Sequence, residues 1–173
     1  MPRTHTSNWA SIRSSGKALP IVIHSTRTAI AAVVSLTVAQ LVRLPEAYWA
    51  PVTTLVIAQS SLGTALAVSR QRFAGTALGA AMSAVVATYF RPGLLVFGVS
   101  VFLVGLFCAI PYLDRSAYRF AGVTLAIVLL IPRSAPAWQI AFHRFLEVSI
   151  GIAVALLLAT VWPETKDQAA TNQ

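Results

Sequence analysis

The chain has 173 residues, of which 57% are hydrophobic and only 10% charged, and its mean hydropathy is +0.73. Soluble domains carry about a quarter charged residues, which excludes a water-exposed globule and points to one all-α integral membrane domain. The net charge of +8 does not imply nucleic acid, because the basic residues lie between apolar runs and not along one polar stripe; the partner this composition implies is the lipid bilayer.

A helix crosses the hydrocarbon core with roughly 20 apolar residues, within about 17 to 25. Residues 1–20 form a basic leader, either an interfacial amphipathic helix around Trp9, Ile12 and Leu19 or a disordered segment. The first apolar run covers about 21–42, longer than the apolar region of a cleaved signal peptide, and reads as the first span. Five more follow, at about 47–62, 73–90, 93–113, 117–132 and 137–162. Helix-stopping or charged signals separate them: Arg43-Leu-Pro45-Glu46, Arg70-Gln-Arg72, Arg91-Pro92-Gly93, Asp114-Arg115 and Pro132-Arg133-Ser-Ala-Pro136. These runs are apolar all round, unlike the alternating segments of a membrane barrel. About six transmembrane helices are thus expected within 21–163, ahead of a short polar tail at 164–173 that is too small for a folded soluble domain.

Lys and Arg accumulate on the cytoplasmic side of a membrane. With the N-terminus inside, that side holds Arg3, Arg13, Lys17, Arg27, Arg70, Arg72, Arg115, Arg119 and Lys166, against Arg43, Arg91, Arg133 and Arg144 on the other. This distribution places both termini in the cytoplasm.

Two blocks of sequence recur in order. Gln71-Arg72-Phe73 with Gly79 and Ala81 matches His143-Arg144-Phe145 with Gly151 and Ala153, and Ala47-Tyr48 with Thr54-Leu55-x-Ile57 matches Ala117-Tyr118 with Thr124-Leu125-x-Ile127. Helices one to three then correspond to four to six, and an odd number of spans per unit makes this an inverted repeat of three plus three helices. The short second and fifth spans are corresponding members. Their opening aromatics, Tyr48, Trp49 and Tyr118, mark a substrate path or serve as interfacial anchors.

An ionised side chain inside a span needs a partner or a wet cavity. Only the sixth span holds a cluster, His143, Arg144 and Glu147, which share a face at spacings of three and four. Glu147 is the candidate proton-exchanging group with His143 tuning it, the alternative being a structural pair in which Arg144 and Glu147 neutralise one another. Arg72 and Arg144, at equivalent repeat positions in opposite orientations, are placed near opposite membrane faces as carboxylate-binding forks, with Arg27 a further candidate; snorkelling to the interface is the competing reading. Gly75-x-x-x-Gly79 and Gly151 are helix-packing positions. Gln40 and Gln59 are available for interhelical hydrogen bonds, and the lone Cys108 excludes an intrachain disulfide or a cysteine metal cluster. No nucleophile elbow, metal-binding His pair, phosphate loop or dinucleotide fingerprint occurs, so neither an enzyme nor a cofactor is expected.

The motifs Arg27-Thr-Ala-Ile-Ala-Ala, Tyr48-Trp49-Ala50-Pro51-Val-Thr with Gln59, Arg70-Gln-Arg72-Phe-x-Gly75-Thr-x-x-Gly79, and Arg144-x-x-Glu147-x-x-x-Gly151 ending in Trp162-Pro163 together resemble the membrane unit of the fusaric acid resistance family, which belongs with the aromatic acid exporters. The chain is similar, more distantly, to plant malate channels. The resemblance implies export of small organic, chiefly aromatic carboxylic, acids across a bacterial inner membrane, and the Glu147 reading above adds a proton as the candidate coupling ion. Larger members carry two such units and soluble regions, so it also implies a homodimer or higher homo-oligomer here. The alternatives are a passive organic-anion channel and a non-transporting accessory subunit.

Overall fold

The structure is a computed structural model that describes residues 18–58, 62–91, 93–109, 115–131 and 135–161. The leader up to residue 17, the tail at 164–173 and Gln59 lie outside the described residues. Within them the chain forms six helices: α1 (Ala18–Leu41), α2 (Trp49–Ala58), α3 (Leu62–Tyr89), α4 (Leu94–Ala109), α5 (Arg115–Leu130) and α6 (Ala137–Val161).

Local chemistry explains most of the boundaries. α1 stops in a Schellman turn: Arg43 takes the left-handed conformation (φ 58°), its N–H donates to Gln40 O at 2.9 Å, and Leu44 N–H donates to Ala39 O at 3.1 Å. The hydrophobic contact that accompanies this motif is present, because Leu44 packs with Ala39 in one buried cluster. Pro51 sits in the first turn of α2, where a missing N–H costs nothing. Gly93 O accepts from Phe97 N at 2.9 Å to open α4, and Pro136 O accepts from Gln139 N at 3.0 Å to open α6.

One boundary departs from expectation. Arg70-Gln-Arg72 does not separate the second and third spans; α3 starts at Leu62 and runs straight through both arginines to Tyr89. Arginine is a good helix former, so a charge in an apolar run marks a place that needs a partner and not a chain break. The ten-residue α2 and 28-residue α3 are the outcome.

The bundle leaves large apolar side chains on its surface and withdraws charges into an otherwise apolar core. Leu94 is 85% exposed and Phe102 70%, whereas Arg27, Arg72, Arg144, Glu147, Thr53, Thr54 and Ser83 are buried. Exposed apolar surface with its charges drawn inside is what a lipid solvent selects. By length and hydropathy, two helices suffice to cross a membrane, Ile21–Leu41 within α1 and the whole of α6, and α2, α4 and α5 are shorter apolar helices. The buried hydroxyls of Thr54, Ser83 and Thr124 donate to carbonyls three or four residues back in their own helices, which satisfies them without water.

The helices pack in pairs along the bundle. α1 packs on α2 and α4 on α5; α2 packs on α6 and α5 on α3; α1 touches α6 and α4 touches α3; α2 touches α3 and α5 touches α6; and α3 crosses α6. One buried cluster joins Val86, Val104, Cys108, Leu125 and Leu129 of α3, α4 and α5. Another joins Ile57, Ala65, Val148, Ile152 and Ala155 of α2, α3 and α6.

Glycine makes the two tightest crossings. A Cβ on Gly75 would meet the backbone oxygen of Ala117, and one on Gly79 that of Ala121, so α3 and α5 touch backbone to backbone. A Cβ on Gly151 would strike Ala50 O and lie 2.6 Å from Thr53 Cβ, which sets the same closeness between α6 and α2. Thr54 Oγ1 donates to Gly151 O at 3.1 Å across that contact.

Candidate functional site

The polar centre of the bundle gathers where α3 crosses α6. Phe73 and Phe145 meet there with ring centroids 5.0 Å apart, and each directly follows a buried arginine, Arg72 or Arg144. Both guanidinium groups are held inside the bundle, Arg72 against α2 and α5 and Arg144 against α2 and an acid of its own helix.

Arg144 is almost fully buried and sits on α6 with Glu147, its Nη1 3.8 Å from Glu147 Oε2. Its guanidinium also lies over the Trp49 ring, 3.7 Å from the centroid. A desolvated cation over an indole face is worth about 2 kcal/mol, so Trp49 helps to hold Arg144 in place alongside its acid. The turn between α1 and α2 completes the cluster: Glu46 N–H donates to Glu147 Oε1 at 3.2 Å, and Trp49 Nε1 donates to Glu46 Oε2 at 3.1 Å. Glu46 and Trp49 were not singled out for this role in the sequence, since they lie about a hundred positions from α6 and only the Schellman turn swings them onto it.

A small cleft of about 100 Å³ opens on this cluster, lined by Glu46, Gln139, His143, Arg144 and Glu147 among others. His143 is half-buried and stands on the cleft wall with Glu147, one helical turn away. Two carboxylates, an imidazole and a guanidinium thus share one recess, which suits exchange of protons.

Arg72 lies on the facing helix in a different setting. Its Nη2 donates to Thr53 Oγ1 of α2 at 3.1 Å, and its guanidinium lies over the Phe120 ring of α5, 4.8 Å from the centroid. Each central arginine therefore rests against an aromatic ring near the start of α2 or of α5. Arg27 is buried on α1. Tyr48 is exposed and stacks against Trp49 at 5.5 Å, which leaves it at the edge of the Arg144 cluster. Tyr118 packs instead beside Gly105 of α4. Gly75, Gly79 and Gly151 occupy helix contacts, as already described. No group of three or more potential metal-ligating residues occurs among the described residues.

Residues 29–158 match the family model described as fusaric acid resistance protein-like. The chain is 30% identical over 158 residues to the uncharacterized transporter YdhK of Salmonella typhimurium, a match covering 85% of this chain and 23% of that protein. Against YdhK of Escherichia coli K12 the identity is 29% over 156 residues, with the same coverage. The inner membrane protein YeeA of Escherichia coli K12 is 29% identical over 154 residues, covering 83% of this chain and 41% of that protein. The chain therefore spans less than half the length of each of these relatives. No solved structure matches.

Proposed function

From the premise that the chain belongs to the fusaric acid resistance protein-like family, a family of helical membrane proteins with bacterial transporters among its relatives, we propose that it exports small organic acids, chiefly aromatic carboxylic acids, across a bacterial inner membrane. In this reading all six helices traverse the bilayer, both termini are cytoplasmic and the working unit is a homo-oligomer. The observation that carries it is the pair of buried guanidinium groups at the α3–α6 crossing, enclosed by an apolar exterior. Buried positive charge in a membrane protein needs an anion or an acid as company, and a planar guanidinium matches a carboxylate in two-point geometry.

Glu147 exchanges the proton that drives export, with His143 beside it on the cleft wall. Protonation of Glu147 from the outer side removes the acid facing Arg144, and loss of that proton to the cytoplasm restores the pair, so one proton enters for each acid exported. The 3.8 Å separation of Arg144 and Glu147 supports this alternation, since it is too long for a hydrogen bond and short enough for strong attraction.

The six helices are further read as two inverted units of three. The pairing of α1–α2 with α4–α5 and of α2–α6 with α5–α3 among the helix contacts supports this reading, as does the meeting of Phe73 with Phe145 at matching sequence positions.

The test is flux of radiolabelled benzoate and salicylate in proteoliposomes of the purified protein, with and without an imposed pH gradient. Export predicts accumulation that depends on the gradient and is abolished by Glu147→Gln. A passive anion channel predicts flux set by the electrical gradient and indifferent to Glu147→Gln. An accessory subunit predicts no flux.

A further inference from the structure

Arg72 and Arg144 hold matching places on α3 and α6 but keep different electrostatic company. Arg144 faces Glu147 and feels Glu46. Arg72, by contrast, has no carboxylate within ion-pair distance among the described residues, although only 7% of it is exposed. Its one hydrogen bond goes to the neutral hydroxyl of Thr53, and its Nε–H, like the Nε–H and Nη1 of Arg144, donates to nothing, so the difference between the two lies in the carboxylate and not in the hydrogen bonds. The difference comes down to one position in each helix: three residues beyond Arg144 stands Glu147, and three beyond Arg72 stands Gly75, pressed against the backbone of Ala117.

A second buried donor on the same helix is also without a partner. Ser69, three residues before Arg72 and on the same helical face, is 3% exposed and its hydroxyl makes no hydrogen bond. Ser35, Ser83, Ser100 and Ser149 all give their protons to carbonyls of their own helices, so a buried serine in this bundle has a ready partner that Ser69 does not take. A buried unpaired cation and a buried unpaired donor are both costly. One ligand that accepts from both removes both costs. Phe120 covers a face of the Arg72 guanidinium, which directs a ligand to the edge, where the N–H bonds lie.

We infer that Ser69, Arg72 and Thr53 form the subsite that binds the carboxylate of a singly charged organic acid, and that Arg144 is balanced by its own glutamates and does not hold the acid in the resting state. One cation without an acidic neighbour calls for one negative charge, hence a monocarboxylate and not a dicarboxylate. This assignment rests on the organic-acid reading above and divides the labour within it: α3 carries the substrate charge and α6 carries the proton.

Benzoate, succinate and the neutral benzyl alcohol are titrated by calorimetry into the full chain in lipid nanodiscs, and benzoate flux is followed in parallel in proteoliposomes. Wild-type protein is expected to bind benzoate, succinate more weakly, and benzyl alcohol not at all. Loss of a charge-assisted contact predicts that Arg72→Gln weakens benzoate about tenfold or more. Ser69→Ala, the smaller change and the deciding variant if Arg72→Gln does not fold, weakens it about threefold to tenfold. Gly98→Ala, which enters open space on α4, stays within about threefold of wild type. Absence of benzoate binding to wild type, unchanged affinity in Ser69→Ala and Arg72→Gln, or loss only in Arg144→Gln/Glu147→Gln would overturn the subsite. Binding that depends on Ser69 and Arg72 without any flux keeps the subsite and removes the export reading. Flux that ignores both substitutions keeps export and removes the subsite.

Discussion

Glu147→Gln is the most informative single change, because it removes one charge and leaves the side-chain shape and the oxygen that accepts from Glu46 N–H. With 3.8 Å between Arg144 Nη1 and Glu147 Oε2, Coulomb's law at an effective dielectric of about 20 gives roughly 4 kcal/mol of attraction. Breaking a buried pair by removing one partner typically costs about 3 to 5 kcal/mol, because the other charge is left in a poor solvent. Glu46 remains within reach of Arg144 and holds the expected loss near the lower figure, about 3 kcal/mol. In a protein of this size that corresponds to a fall of roughly 6 to 12 °C in Tm, readable by tryptophan fluorescence during heating in nanodiscs. Removing both charges with Arg144→Gln/Glu147→Gln is expected to be less damaging than Glu147→Gln alone, so a double-mutant cycle with Arg144→Gln yields a coupling of about 2 kcal/mol or more. A Glu147→Gln protein within about 0.5 kcal/mol of wild type, or a vanishing coupling, would refute the claim that these residues neutralise one another.

Three further changes test the frame around the site. Gly79→Leu and Gly151→Leu each place a side chain into a neighbouring helix backbone and are expected to cost about 3 kcal/mol or to abolish folding, whereas Gly98→Ala enters open space and stays within about 0.5 kcal/mol; monodispersity on size exclusion and thermal melts read both. Trp49→Phe keeps a ring under Arg144 and loses the hydrogen bond to Glu46, at about 1 kcal/mol, and Trp49→Leu loses the ring as well, at roughly 1 to 2 kcal/mol more; equal melts for the two variants would contradict the cation–π contact. Arg43→Gly relieves a left-handed backbone that costs a side-chain-bearing residue about 1 kcal/mol and is expected to raise the melting temperature by a few degrees, a fall being the contrary result.

The helices were legible in the sequence because lipid demands long apolar runs and tolerates few charges. α1, α4, α5 and α6 begin and end within a few residues of the expected spans. The α2–α3 boundary was not legible, because the rule that reads charge as a break treats Arg70 and Arg72 as loop residues, and a buried arginine held by Thr53 and Phe120 sits inside a helix. The packing glycines were readable from their spacing alone, since no residue but glycine leaves room for a bare backbone contact. The cluster around Arg144 was readable only along α6, where Glu147 lies one turn away. Glu46 and Trp49 reach it through the turn at Arg43, and Ser69 gave no signal at all, because its role depends on the absence of a partner and no spacing rule encodes an absence.

The contact between Phe73 and Phe145 ties the two buried arginines together mechanically. Each ring follows an arginine in its own helix, so the ring pair links the backbone beside Arg72 to the backbone beside Arg144. A slip of α3 along α6 at that point therefore shifts one cation against the other, and a smaller ring at either position loosens the link between them.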